Sequence, residues 1–393
     1  MSVAETTSLP PVNALETDHR AAENYFFNAC ALPPDSEQLQ RDLNAAAARL
    51  ARKMQSLDLA TASVSEFTRA YFGSKLIHAQ SNLQRNTFVL AWALAPMLRW
   101  APMHELVLVD YGGGTGDLAL LAKEVGVGTV IFNDLFEEFC RDARHLGAAI
   151  GLEAEHYVQG DVQALISFCH AKMIAPHGVV SFDVLEHIYD VDDFLARIVK
   201  VSPHRLAVSL ASGANPLSPI VNRRLMRLQR SRELIGNPTK DQTEDPRDTD
   251  QPYLVLRRQM IATAAPQLSP AELDALAART RGMRIGDIQL TAERYVSLKQ
   301  LPPEPTHPTN TCDPYTGNWC EQLLDPRELA RKLTTLGVTS KALAGYYGTG
   351  RVGSNVKRTL RLLANIGVAR AGSLGLRAAP FYCVAGARDG GTR

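Results

Sequence analysis

The spacing of apolar positions along the chain changes several times, and each change predicts a different kind of structure. Residues 1–34 hold no sustained period and carry a Pro10-Pro11 pair. They read as a mobile lead-in that Tyr25, Phe26 and Phe27 would anchor. From Asp35 to about Met103 apolar residues recur at helical spacing, through LNAAAARLARKMQSL and then NTFVLAWALAPMLRW, a run apolar enough for a buried helix. Asp35 with Gln38, and Ser63 with Glu66, read as capping-box starts. The block 35–103 is expected to be a helical cap. At Glu105 the rhythm switches to short β-rich runs: LVLVD (106–110), TVIFND (129–134), HYVQGD (156–161), GVVSFD (178–183) and RLAVSL (205–210). Between them lie helical patterns such as LALLAKEV and FLARIVKV. This alternation predicts a parallel, doubly wound α/β sheet with helices on both faces.

After Leu210 the alternation stops, and 212–310 reads as a large, mostly helical insertion following the fifth strand. It opens with a basic amphipathic helix near 217–235 and continues through an acidic stretch, KDQTEDPRDTDQP (240–252), expected to be mobile. A helix over 270–281 starts at Ser269-Pro270-x-Glu272 and stops at Gly282. A Pro-rich linker (301–308) leads to a second capped helix over 326–336, opened by Asp325-Pro326-x-Glu328. A short strand near 341–347 and a last one in PFYCVAGA (380–387) close the chain. The expected organisation is therefore a mobile segment (1–34), a cap (35–103), a core (104–211), an insertion or lid (212–310) and a completion of the core (311–393).

Composition narrows the function classes. Of 393 residues, 45% are hydrophobic and 21% charged, which fits a globular protein. Lys and Arg total 42 against 41 for Asp and Glu, a net charge of +1 that argues against a general nucleic-acid binder. Six cysteines without a CxxC pair indicate neither a disulfide framework nor a zinc ribbon. The first residues lack a signal-peptide pattern, and no apolar run is long enough to span a membrane, so a cytoplasmic location is expected.

The most informative segment is Asp110-Tyr111-Gly112-Gly113-Gly114-Thr115-Gly116-Asp117, between a strand and a helix. Glycines belong where the backbone turns sharply and a ligand approaches with no Cβ in the way. A dinucleotide fingerprint GxGxxG would put its third glycine at 117, where this chain has Asp. A carboxylate there would face a pyrophosphate across the helix N-terminus, which is electrostatically unfavourable. The spacing resembles the (D/E)xGxGxG of class I S-adenosylmethionine-dependent methyltransferases, whose cofactor carries a sulfonium and an ammonium.

That resemblance covers about 104–211. It implies a Rossmann-like sheet of order 3-2-1-4-5-7-6 with strand 7 antiparallel, and S-adenosylmethionine as cofactor. It also implies that Asp110, Gly112, Gly113, Gly114 and Gly116 cradle the cofactor. Asp134, 18 residues after Gly116, would hold the ribose hydroxyls, and Asp161 with Val162 would meet the adenine. The fourth strand ends in Phe182-Asp183-Val184-Leu185-Glu186-His187, where the family places methyl group and acceptor. Its LEH string is similar to ubiquinone-pathway O-methyltransferases. Asp183, Glu186 and His187 are the candidate catalytic set, with Asp183 also beside the cofactor and His187 the first candidate for a base. Some relatives bind a divalent cation through an acid-x-x-Glu-His string; no metal is favoured here. A loop-capping role for His187 is the plain alternative.

Further candidates concern the acceptor. Arg223, Arg227 and Arg230 form one face of the 217–235 helix, and 350–379 holds six basic residues and no acid. Either these are solvated faces or they form a rim that steers an anionic acceptor. Tyr315, Asn318 and Trp319 lie in a compact polar-aromatic loop suited to binding a sugar or ring, or to anchoring the insertion. Gly348-Thr-Gly350-Arg-Val-Gly353 matches GxGxxG literally, but no βαβ unit follows, so it reads as a loop. The expected function is methylation, through oxygen, of a small or medium acceptor: an anionic, sugar-like or ring-containing small molecule, a glycan or a lipid precursor. The competing readings are an RNA or protein methyltransferase, a silent cofactor-binding subunit and an NAD-dependent oxidoreductase.

Overall fold

A computed structural model of the protein describes residues 32–77, 79–237, 249–349 and 355–390. The lead-in up to residue 31, most of the acidic stretch and residues 350–353 of the 348–353 glycine string lie outside the described residues. The five expected strands all form: β1 (Val107–Tyr111), β2 (Thr129–Asp134), β3 (His156–Gln159), β4 (Gly178–Phe182) and β5 (Arg205–Ser212). With β6 (Thr339–Ala344) and β7 (Tyr382–Asp389) they make one sheet of order β3-β2-β1-β4-β5-β7-β6. β1 to β5 run parallel, and β7 runs antiparallel to both β5 and β6. This is the Rossmann-like class I methyltransferase sheet.

Side chains alternate across it. Leu108, Val130 and Val180 join one core, whereas their neighbours Val109, Ile131 and Val179 join the core of the opposite face. The first core is covered by α1 (Glu37–Ser56), α3 (Ala79–Met97) and the helices after β1 and β2, α4 (Asp117–Val125) and α5 (Glu137–Ile150). The second is covered by α6 (Val162–Lys172), α7 (Val191–Ile198) and α12 (Pro326–Thr335).

This arrangement corrects the expectation of a separate cap. α1 buries Leu39, Leu43, Ala46, Ala47, Leu50 and Met54 on one stripe, and α3 is buried nearly all round from Phe88 to Leu94. α3 lies across β4, β5 and β7 and is therefore a layer of the sandwich itself, with α1 packed on α3 and α4. Asp35 does not cap α1. Its backbone is left-handed (φ 54°), and the N-cap is Ser36, whose hydroxyl donates to Pro33 O and accepts from the Gln40 side chain instead of from a helix N–H. At α2 (Glu66–Ile77) the capping hydroxyl belongs to Ser65, not Ser63: Thr68 N–H donates to Ser65 Oγ, which itself donates to the buried Asp142.

The insertion contributes α8 (Pro219–Leu234), α9 (Tyr253–Ala264), α10 (Pro270–Arg279) and α11 (Ile285–Leu298), the last three sharing a small core. Ser269 and Glu272 form the expected capping box of α10. The cluster is fastened to the rest through a buried ion pair. Arg257, fully buried, donates both Nη atoms to the Glu233 carboxylate and its Nε to Ala277 O, while Thr311 Oγ1 donates to the same carboxylate. Removing one member leaves the other charge buried alone. Glu233→Ala should therefore destabilise the fold by about 3–5 kcal/mol, seen as a lower urea midpoint in circular dichroism.

Candidate active site

The ends of β1, β2 and β4 converge on one cleft, where a doubly wound sheet places its ligands. It is lined by Tyr71, Asn82, Arg85 and Asn86 from α2 and α3, by Asp110, Gly112, Gly113, Gly114, Asp117 and Leu118 around the first turn, and by Phe182 and Asp183. A larger, open hollow lies between α1 and α5, around Lys53, Asp58 and His145, and includes none of these groups. The smaller cleft is therefore the candidate site.

Two carboxylates shape the glycine turn. Asp110, 1% exposed, accepts the Ala119 N–H of the first turn of α4 at 3.0 Å. Asp134, also buried, accepts Gly114 N–H at 2.9 Å through one oxygen and Phe136 N–H at 3.0 Å through the other. At Gly113 any Cβ would run into the Phe132 ring, so only glycine fits. Gly114 has φ +55° and nothing within 4 Å of where its Cβ would stand. That open volume, against bare backbone and beside carboxylates, suits a ligand with cationic groups and no phosphate. Gly116 is the left-handed N-cap of α4, and Asp117 opens that helix at the position where a pyrophosphate would need to lie.

The third acid behaves differently. Asp161 caps α6, accepting Gln163 N–H and Ala164 N–H at 3.0 Å each, while remaining exposed. Val162 packs its side chain into the core below, so the expectation that it faces the cofactor does not hold for the side chain. Tyr111 sits near both strand-end acids. Burial, and then the charges of Asp161 and Asp134, raise its phenol pKa.

Asp183, Glu186 and His187 do not act as one set. Asp183 is left-handed (φ 55°), an uncommon and strained state for a non-glycine residue. It accepts Gly213 N–H at 2.7 Å and pairs with Arg85 at 3.3 Å. The Arg85 guanidinium lies 4.0 Å above the Phe182 ring. Glu186 turns away from the cleft, which corrects its assignment as catalytic. It is 1% exposed, with one oxygen accepting Ser212 O–H at 2.6 Å and the other bonded to none of the described residues. Burial holds its carboxyl well above the usual range, and the charges of Asp183 and Glu321 push the same way. His187 Nδ1 lies 2.9 Å from Trp319 O. A carbonyl only accepts, so Nδ1 carries the proton and the neutral ring keeps Nε2 as its base. Among the described residues, no group of His, Cys, Asp and Glu is placed to hold a metal.

The acceptor-side candidates are redistributed. Trp319 stacks on Tyr189 with centroids 6.2 Å apart and donates its indole N–H to Tyr189 O at 3.0 Å. Gly282 lies so close that a Cβ there would come within 2.6 Å of the ring. Trp319 is an anchor of the insertion, not a platform for substrate. Tyr315 is 53% exposed, and Asn318 belongs to the turn that Asp313 organises; neither lines the cleft. Arg223 and Arg227 point outward from α8, so the cleft is not rimmed by them.

Three residues that spacing did not single out stand near the chemistry. Arg85 and Tyr71 enter from the N-terminal helices. Glu321, left-handed at φ 56°, has its carbonyl held by the buried Gln229 at 2.7 Å. Burial raises the Glu321 carboxyl; the His187 charge opposes this, Asp183 adds to it and Arg224 opposes it. The only sequence signal for Glu321 was its place two residues after Trp319 in an unusually polar loop.

Residues 109–203 match a family model described as a methyltransferase domain. No curated protein matches the chain. Among solved structures, it is similar to an S-adenosylmethionine dependent methyltransferase from Mesorhizobium loti, with 16% identity over 76% of this chain and 98% of that one, at a TM-score of 0.34. It is also similar to the plantazolicin methyltransferase BpumL in complex with SAH, with 12% identity over 88% and 99%, at 0.33. A third likeness is to TrmN from Thermus thermophilus, with 22% identity over 35% and 40%, at 0.25. The matched residues and the strand order agree: 109–203 carry a methyltransferase domain, set in a sheet with the Rossmann-like class I methyltransferase order.

Proposed function

We propose that the protein methylates a hydroxyl of a small or medium-sized acceptor bound beside the Asp183–His187 turn. The observation that carries this reading is the His187–Trp319 contact. It fixes the imidazole tautomer so that Nε2 is the basic nitrogen, which a hydroxyl acceptor needs and an already activated nucleophile does not.

When bound, S-adenosylmethionine supplies an activated methyl on a sulfonium sulfur, so the protein's part is alignment, proton removal and exclusion of water. Gly112, Gly113 and Gly114 let the backbone close on the cofactor. Asp161, exposed at the strand end, retains acceptor capacity for hydroxyl and amino groups, because a carboxylate can accept about four hydrogen bonds. Arg85 and Asp183, paired across the cleft mouth, offer a cation and an anion to the two ends of an amino-acid group. Since Arg223 and Arg227 face outward, any anionic part of the acceptor would meet Arg85 instead. A sugar-like or ring-containing acceptor is in keeping with this polar mouth.

Gly114→Val should weaken S-adenosylhomocysteine binding at least about 100-fold in calorimetry, because a β-branched side chain at φ +55° is strained and occupies the cleft. Retained affinity would remove the turn from the site. His187→Ala should cut turnover by about 10²–10⁴ and leave cofactor affinity nearly unchanged. The assay is transfer of labelled methyl into fractionated metabolites and glycans, with RNA as the competing acceptor. Equal turnover would end the base assignment.

Glu186 gives a separate pH test. Its folded pKa is raised, so the native state binds the proton more tightly than the unfolded chain does. The stabilising contribution is present below the unfolded carboxylate pKa and is lost as pH rises through the folded one. Glu186→Gln should therefore melt higher than the natural protein at pH 8 and equally at pH 4, in thermal scans with retained cofactor binding.

A further inference from the structure

The last helix, α13 (Asn355–Arg370), turns an aliphatic stripe to solvent. Its inner side is conventional: Asn365 and Val368 are buried, and Asn365 bonds both the N–H and the carbonyl of Tyr347, at 2.7 and 2.9 Å. The outer side is not. Val356, Leu360 and Leu363, spaced i, i+4, i+7, remain 69%, 60% and 59% exposed, and Leu374 in the following turn is exposed as well. A single exposed leucine is ordinary; a stripe along one helix marks a contact surface.

Charge identifies the partner. From Leu329 to Arg388 the chain has ten Lys and Arg residues and no Asp or Glu, although the whole sequence is balanced at 42 against 41. Lys357, Arg361 and Arg370 stand to either side of the stripe on α13. The helix contains no aromatic residue, so it offers no stacking platform for nucleic-acid bases. Aliphatic side chains between basic flanks are what a helix needs to lie in the headgroup region of a negatively charged bilayer.

We propose that α13 docks the protein on an anionic phospholipid surface, with Val356, Leu360 and Leu363 entering the headgroup boundary and Lys357, Arg361 and Arg370 lying among lipid phosphates. The docking does not depend on the methyltransferase reading. Resting on that reading, it also specifies where the acceptor comes from. Arg361 donates to Gly348 O at 2.7 Å, and the adjoining Thr349 exchanges two hydrogen bonds with Gln84, next in sequence to the cleft residue Arg85. A docked α13 brings the cleft mouth close to the bilayer, so an amphipathic acceptor drawn from the membrane is the substrate class that fits.

The test is sedimentation of the full-length protein with vesicles of phosphatidylglycerol and phosphatidylcholine, and with phosphatidylcholine alone, at low and high salt. Binding is expected to the mixed vesicles and to be at least tenfold weaker to the neutral ones or at high salt. Leu360→Glu with Leu363→Glu should weaken it at least tenfold while circular dichroism and S-adenosylhomocysteine affinity stay unchanged. If that pair unfolds, Val356→Ser with Leu363→Ser should show the same loss. Three results would overturn the proposal. One is no binding to the mixed vesicles. The second is binding that the leucine changes leave intact and only Arg361→Glu with Arg370→Glu removes, which is plain electrostatic adsorption. The third is a dimer in light scattering that the leucine changes split, without vesicle binding, which makes a second copy the occupant. Vesicle binding by a protein that ignores S-adenosylhomocysteine would support the docking and sink the methyltransferase reading instead.

Discussion

Two buried carboxylates hold the turn after β1 in a shape that peptide backbone would not keep unaided. Asp110 ties the strand end to the first turn of α4, and Asp134 reaches from the next strand to the Gly114 N–H. Both acids are almost entirely removed from water, where an unbonded carboxylate is costly, so their bonds to backbone N–H groups are obligatory. The space the glycines leave open persists because the acids on either side cannot move without losing those partners. Site and fold share this requirement, since the same residues close β1 onto β2.

A second set of constraints joins the insertion to the reacting edge. Gln229 on α8 holds the carbonyl of Glu321 and accepts from Thr309, while Glu233, one turn on, holds Arg257 and Thr311. The loop fixed by these bonds presents Trp319 O to His187, and Gln322 N–H to Glu186 O at 3.0 Å. The insertion thus reaches the chemistry through backbone groups of one loop. Among the described residues it places no side chain in the cleft, which differs from a lid that would close over an acceptor.

Strain accumulates at the same place. Asp183 and Glu321, both left-handed without being glycine, meet around the His187 turn, with the neutral-leaning Glu186 beneath them. Such states persist only where the surroundings over-determine them, and here Gly213, Arg85 and Gln229 do so. Three acids crowd this turn: burial raises the carboxyls of Glu186 and Glu321, while Asp183 pairs with the Arg85 guanidinium.

The sequence by itself determined the sheet, the glycine turn and the acids at its strand ends. These depend on local period, on chirality and on residues separated by one βα unit, so their spacing survives in the chain as a readable pattern. It also determined the capped starts of α10 and α12, where side chain and backbone meet within four residues. Only the tertiary structure decided that α3 is a layer of the sandwich, since an apolar helix reads alike whether it covers a sheet or caps a domain. Only it turned Glu186 inward, pressed Trp319 onto Tyr189, faced Arg223 and Arg227 to water and brought Arg85 and Glu321 to the cleft edge. Those outcomes join residues up to 135 positions apart, as Glu186 and Glu321 are, through burial and hydrogen bonds that no local spacing encodes.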